Sequence, residues 1–359
     1  MFVAWRDLRH ARGRFALMGT VIVLITLLVG LLSGLTAGLG RQNTSAVTGL
    51  PADRIVFAAP GRGQDLSYAE SALTAGQVRA WDGVPGVRSA EPLGVTSTRA
   101  AAAGGRSAGV AVFGVRPGSP LAPGAVGGGT AVLSAGAADA LGVRAGDAVA
   151  VAGRRLTVAA VRGAASFSHT PVVWTDLATW RAAAPPSGDA RPAATVLALR
   201  TSDGAGIAAA DRAAGTRTVA KGASLAAIGA YSSENASLQL MRGFLFAISA
   251  LVVGAFFTVW TIQRSGDVAV LKALGAPTAL LLRDALGQAL VLLVAGTALG
   301  TALAAGAGAL VAGRVPFAVS PAGVLGPAAV LIALGAGGAA LAVRRITSVD
   351  PLTALGSVR

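Results

Sequence analysis

Few side chains in this sequence have the type and spacing to act on a substrate. The two histidines, His10 and His169, lie far apart, and there is no cysteine. A disulfide framework, a thiolate metal site and a cysteine nucleophile are therefore excluded. His169 has no second histidine in its segment to share a metal with, and it reads as a loop or core histidine. The acidic residues Asp53, Asp65, Glu70, Asp82, Glu91, Asp139, Asp147 and Asp176 are dispersed, and no acid/base couple stands out. Lys221 follows Ala220 and Lys272 follows Leu271, so neither stands in the Gly-Lys-Ser/Thr sequence whose lysine reaches nucleotide phosphates. The chain is read as a non-enzymatic subunit without a metal site or intrinsic cofactor, and an ATP-driven role would need a separate ATPase chain.

The most informative stretch is short: QRSGDVAVLKALGAPTALLLRD, residues 263–284. Asp267 can cap a helix in which Val268, Leu271 and Leu274 share one face at three-residue spacing. Gly275 suits the C-terminal stop, Pro277 blocks continuation, and Thr278 can start the next helix. Such a helix fits either a docking surface for a cytoplasmic partner or a segment lying on lipid headgroups.

The elements that must position this loop are membrane spans. Of 359 residues, 53% are hydrophobic and only 13% charged. Soluble domains carry about 25% charged residues. Four apolar segments, 15–39, 243–262, 285–313 and 321–343, each approach or exceed the roughly 20 residues that cross a bilayer core. The first is longer than the roughly 7–15 apolar residues of a cleaved signal sequence, so it reads as a span. Arg6, Arg9, Arg12 and Arg14 precede span one; Arg264, Lys272 and Arg283 separate spans two and three; Arg344, Arg345 and Arg359 follow span four. The positive-inside rule then puts both termini (1–14 as an interfacial helix, 344–359 as a tail) and the coupling loop 263–284 in the cytoplasm. Residues 40–242 lie outside. The protein is thus expected in the cell membrane as a multi-pass chain. The formal charge of +14 comes from arginines spread along the chain, which argues against a nucleic-acid surface. Gly30, Gly34 and Gly38 repeat at four-residue spacing on span one, a pattern that lets helix backbones approach, within the subunit or across a dimer.

The outer segment alternates strand and helix signals. DRIVFAAP from Asp53, VAVFGV from Val110 and ATVLALRT from Ala194 read as strands. Residues 73–87 read as a helix capped by Thr74, residues 146–161 as a hairpin, and residues 170–180 as a strand running into a short helix. From Ala223 the pattern turns helical toward span two. The fold class is a mainly α membrane protein with four transmembrane helices and an α+β extracytoplasmic domain inserted between the first and second.

This layout, with RSGDVAVLKALGAP in the loop, the ending DPLTAL, and LSAGAADALGVRAGDAVAVAGRRLTVAAV outside, resembles the MacB/FtsX-type (type VII) permeases of ABC transporters. The stretches MFVAWRDLRHARGRFALMG, SGLTAGLGRQNTSAV and AIGAYSSENASLQLMRGFLFAISALVVGAFFTVWTIQR are similar to Gram-positive haem-efflux permeases and their DevC-like relatives. The resemblance implies a permease homodimer bound to a separate ABC ATPase, which uses ATP to extrude an amphipathic substrate. It places Asp267, Val268, Leu271, Lys272, Leu274 and Gly275 at the ATPase-coupling loop. Haem is the candidate substrate, with Tyr231, Glu234 and Met241 as candidate ligands near the outer end of span two. The same family also implies two other roles: an FtsX-like transmitter that controls an extracellular enzyme without transport, and lipoprotein or peptide export.

Overall fold

The structure is a computed structural model that describes residues 12–184, 192–202, 206–263, 266, 270, 275–311, 315–318 and 321–347. The chain divides into two compact units. One comprises residues 39–236; the other comprises residues 1–38 and 237–359.

The helical unit takes α1 (Arg12–Thr48) up to Gly38, α6 (Gly229–Gln263) from Ser237 onward, α7 (Thr278–Val311) and α8 (Pro321–Thr347). All four are long and apolar enough to cross a membrane. Met18 and Ile22 of α1, Val253 and Phe257 of α6, Ala289 and Leu293 of α7, and Ala339 and Ala342 of α8 form its buried cluster. Large apolar residues elsewhere, such as Leu251, Leu310 and Leu341, are exposed as a lipid-facing surface requires. The glycines of α1 lie on helix contacts. A Cβ on Gly30 would come within 2.7 Å of the Ala304 methyl on α7. One on Gly34 would enter the Phe317 ring, and one on Gly38 would strike the Pro316 carbonyl. Ala318 N–H donates to the Gly34 carbonyl at 3.0 Å. The segment 315–318, between α7 and α8, is thereby stitched to α1, with Phe317 seated between Gly34 and Gly308.

Among the described residues the outer unit holds ten strands: β1 (Arg54–Ala58), β2 (Val87–Ala102), β3 (Ser107–Val115), β4 (Thr130–Leu133), β5 (Ala148–Val151), β6 (Arg154–Val161), β7 (Ser166–Phe167), β8 (Thr170–Asp176), β9 (Val196–Thr201) and β10 (Thr216–Ala220). Four short helices are interspersed: α2 (Ala75–Arg79), α3 (Ala135–Leu141), α4 (Leu177–Ala183) and α5 (Ile207–Ala214). The Thr74 cap is present as a full capping box with Gln77. β2 is the organising strand. Its first half pairs with β9, in a sheet that continues to β1 and β10. Its second half pairs with β3 on one edge and β5 on the other. Successive pairings of β2, β3, β8, β4, β6 and β5 then close a ring of six strands. Inward residues such as Val112, Leu133, Val151, Leu156 and Val173 fill it. The indole of Trp180 on α4 lies against Gly94 and its Cβ against Gly114, so a Cβ on either glycine would overlap Trp180. A second core joins Phe57, Tyr68, Phe113, Phe167 and Trp174 to Ala46, Val47 and Leu50, at and just beyond the C-terminal end of α1.

Candidate functional site

The residues that could do chemistry converge on the β7–β8 hairpin. Its two-residue turn is Ser168-His169, with φ of 48° and 64°. Both values lie in the left-handed region, as a tight hairpin turn demands, although glycine and asparagine are the usual occupants. The turn rests on the last part of α1. Ser168 N–H donates to the Asn43 carbonyl at 3.1 Å and His169 N–H to the Gln42 carbonyl at 3.3 Å. The Ser45 hydroxyl accepts from Ser166 N–H at 2.8 Å and donates to the Ser166 carbonyl at 3.2 Å.

This seating places three polar side chains together. His169 Nε2 lies 2.8 Å from Glu234 Oε1, on the second turn of α6. Asn43 Nδ2 donates to Glu234 Oε2 at 3.0 Å and lies 3.1 Å from His169 Nε2. Asn43 is 1% exposed and its Oδ1 has no partner. The side chains of His169 and Glu234 are 33% and 40% exposed. A fixed carboxylate and an imidazole are thus held at a partly open surface, where they can meet a cation, a metal centre or a proton. Among the described residues no group of three or more His, Cys, Asp and Glu side chains gathers as a metal cage.

Beside the hairpin lies a cleft of about 410 Å³, lined by Ser67, Tyr68, Thr96, Phe167, Ser168 and Ala230 among others. Tyr68 shares a hydrogen bond with the Ser224 hydroxyl at 3.0 Å. Burial pushes its phenol well above the usual tyrosine range, so it stays neutral.

Of the residues singled out from sequence, Glu234 falls in this cluster. Tyr231 sits one turn earlier on α6 and packs against the aromatic core. Met241 follows on the same helix, in the helical unit, and is 50% exposed. Asp267, Val268, Leu271, Lys272 and Leu274 lie outside the described residues. Gly275 is described: its φ is +89°, a conformation suited to a glycine stop, and α7 begins at Thr278. Sequence reasoning missed Asn43 and took His169 as a loop or core residue. The available signal was that Asn43 and Glu234 both fall in the stretches similar to haem-efflux permeases.

Comparison with known proteins bears on both units. Residues 15–217 match the family model of the MacB-like periplasmic core domain, and residues 240–351 match the FtsX-like permease C-terminal model. Over 131 residues the chain is 34% identical to a protein of Staphylococcus haemolyticus named as a candidate hemin transport system permease, HrtB. A protein of the same name from Staphylococcus epidermidis is 27% identical over 129 residues. Each alignment spans 36% of this chain and 37% of the relative's length. Among solved structures, the periplasmic region of MacB from Actinobacillus actinomycetemcomitans aligns with 49% of this chain and 92% of its own (TM-score 0.37, 12% identity). The extracellular domain of the ABC-type transporter YknZ from Gram-positive bacteria aligns with 47% of this chain and 99% of its own (TM-score 0.34, 14% identity).

Proposed function

Because this chain belongs to the FtsX-like ABC permeases that carry a MacB-like periplasmic core domain, we propose that it extrudes an amphipathic substrate, haem foremost, under the drive of a separate ATPase. The observation that carries this reading is Glu234. Its carboxylate is oriented by Asn43 and His169 yet 40% exposed, on a helix that continues into a membrane span. A carboxylate 40% exposed can offer an oxygen donor to haem iron or a counter-charge to a cationic group of another amphipathic molecule. The names of the staphylococcal relatives favour haem.

In this reading the termini and the loop 263–284 face the cytoplasm, and two permeases pair around two ATPase chains. Each ATPase stroke is received at Val268, Leu271, Lys272 and Leu274. Its outward path is α6, which runs unbroken from Gly229 to Gln263. The hairpin clamp on the end of α1 supports this, since Asn43 and Glu234 meet His169 from two helices that both enter the membrane.

The test is haem tolerance of a deletion strain complemented with wild type or Glu234→Ala, with a Soret titration of both purified proteins. Loss of tolerance and an altered Soret band in the variant support the reading; identical spectra and tolerance remove Glu234 as ligand. A second reading is a transmitter that signals to an extracellular enzyme without transport. A transmitter retains a wall hydrolase on purification and leaves haem tolerance unchanged on deletion.

A further inference from the structure

We propose that the outer unit takes up an extended, uncharged peptide segment of another protein as an added strand on β2, in the cleft beside the β7–β8 hairpin. This docking does not depend on Glu234 or on haem. Its basis is an interruption in the pairing of β2. On one edge β2 pairs with β3 without a break from Gly94 to Ala101. On the other edge the pairing with β9 ends at Leu93, and that with β5 begins only at Ala100. In an antiparallel pair, the backbone groups of successive residues face alternate edges. The Val95 N–H and C=O both meet the Thr195 hydroxyl, at 2.8 and 3.1 Å, so they face away from β3. Ala102 N–H donates to the Arg106 carbonyl at 2.8 Å, on the side of β3. Even-numbered residues of this stretch therefore bond to β3, and the Ser97 N–H and C=O face the gap. Among the described residues they meet no partner.

The gap opens on the cleft of about 410 Å³, whose lining includes Val95, Thr96 and Ser97. A cleft of this size is in the range that holds a ligand. At about 3.4 Å per residue, the unpaired stretch 96–99 runs for roughly 14 Å, room for a short extended segment. The rest of the wall is neutral. Ser67 and Ser168 supply hydroxyls, Phe167 and Ala230 supply apolar surface, and among the described residues no charged side chain lines it. A charged group entering the cleft would lose water without gaining a counter-charge. Trp180 is on the same lining, 2% exposed, and its Nε1–H has no partner. The wall thus favours a neutral ligand that brings acceptors as well as donors. One residue in extended conformation presents an N–H and a C=O together, which is the pair that Ser97 lacks. Such main-chain bonds supply the affinity when a peptide adds to a sheet edge, while the surrounding wall selects its side chains.

The experiment titrates full-length protein in detergent with a blocked hexapeptide of alternating valine and threonine that carries a neutral dye. Binding is read by fluorescence anisotropy and by hydrogen exchange at the Ser97 amide. Ser97→Pro removes the donor that faces the gap and leaves the bonds to β3 in place, since proline is tolerated where a strand N–H has no partner. Ser97→Ala removes the hydroxyl alone. A second peptide is N-methylated at its two central residues. Wild type and Ser97→Ala are expected to bind the first peptide alike, and exchange at Ser97 should slow severalfold in the complex. Ser97→Pro should bind it about tenfold more weakly, and wild type should bind the N-methylated peptide about tenfold more weakly. No wild-type binding at millimolar peptide, unchanged exchange at Ser97, or equal binding of the N-methylated peptide overturns the proposal. These measurements use the wild-type chain and so decide the question whether or not Ser97→Pro folds. A loss in Ser97→Ala as large as that in Ser97→Pro also overturns it, in favour of hydroxyl recognition of a saccharide kind.

Discussion

At the scale of the residue, His169 and Asn43 are held under different constraints. The left-handed backbone at Ser168 and His169 costs about 1–2 kcal/mol per non-glycine residue. His169→Gly should therefore relax the turn while cutting the link to Glu234. The expected outcome is a melting temperature of the full chain that is unchanged or raised, together with lost haem tolerance. A lower melting temperature would mean that the imidazole contact outweighs the turn. Asn43 is a buried amide, and its bond to a carboxylate is of the stronger, charge-assisted kind. Asn43→Ala should destabilise the outer unit by about 1–3 kcal/mol, because Glu234 loses a donor. Denaturant unfolding of the full chain in detergent reads that loss, and an unchanged midpoint would contradict it.

The elements show why some of this architecture was legible in the sequence and some was not. The four long helices follow from uninterrupted apolar runs, and the β5–β6 hairpin follows from alternation about a glycine turn. β2 gave no such signal, because Pro92 and Gly94 interrupt its 16 residues and proline within a run argues against a strand. The structure accommodates both. Leu93 still pairs with Val196 beside Pro92, and Gly94 is bare because Trp180 lies on it. Ring closure by β2 and β5 joins residues some fifty positions apart, which no local pattern encodes. The site was half legible for the same reason. Glu234 stood in a recognisable stretch, but its partners lie 65 and 191 positions away. Two substitutions test these contacts. Gly94→Ala should lower thermal stability by about 1–3 kcal/mol or more through overpacking against Trp180. Gly34→Ala should disturb the Phe317 seat, and the double variant with Phe317→Ala should lose less than the sum of the two single variants. Additive losses would show that the ring does not occupy that seat.

At the scale of the whole molecule, a MacB-like outer domain inserted after one span and followed by three more makes this an ABC permease with a large extracellular part. Its proposed work is to turn ATP hydrolysis on one side into release of cargo on the other. The loop carries one prediction at this scale. Lys272→Glu or Leu271→Asp should leave the permease folded but lower ATPase co-purification and haem tolerance together, whereas unchanged co-purification would place the docking surface elsewhere. The most direct measurement is ATP-dependent haem movement in proteoliposomes holding the permease and its ATPase, for wild type and Glu234→Gln. Wild type is predicted to move haem only when ATP is supplied, with Glu234→Gln retaining the complex but losing transport. An intact, ATP-hydrolysing wild-type complex that moves no haem would contradict the proposed haem export.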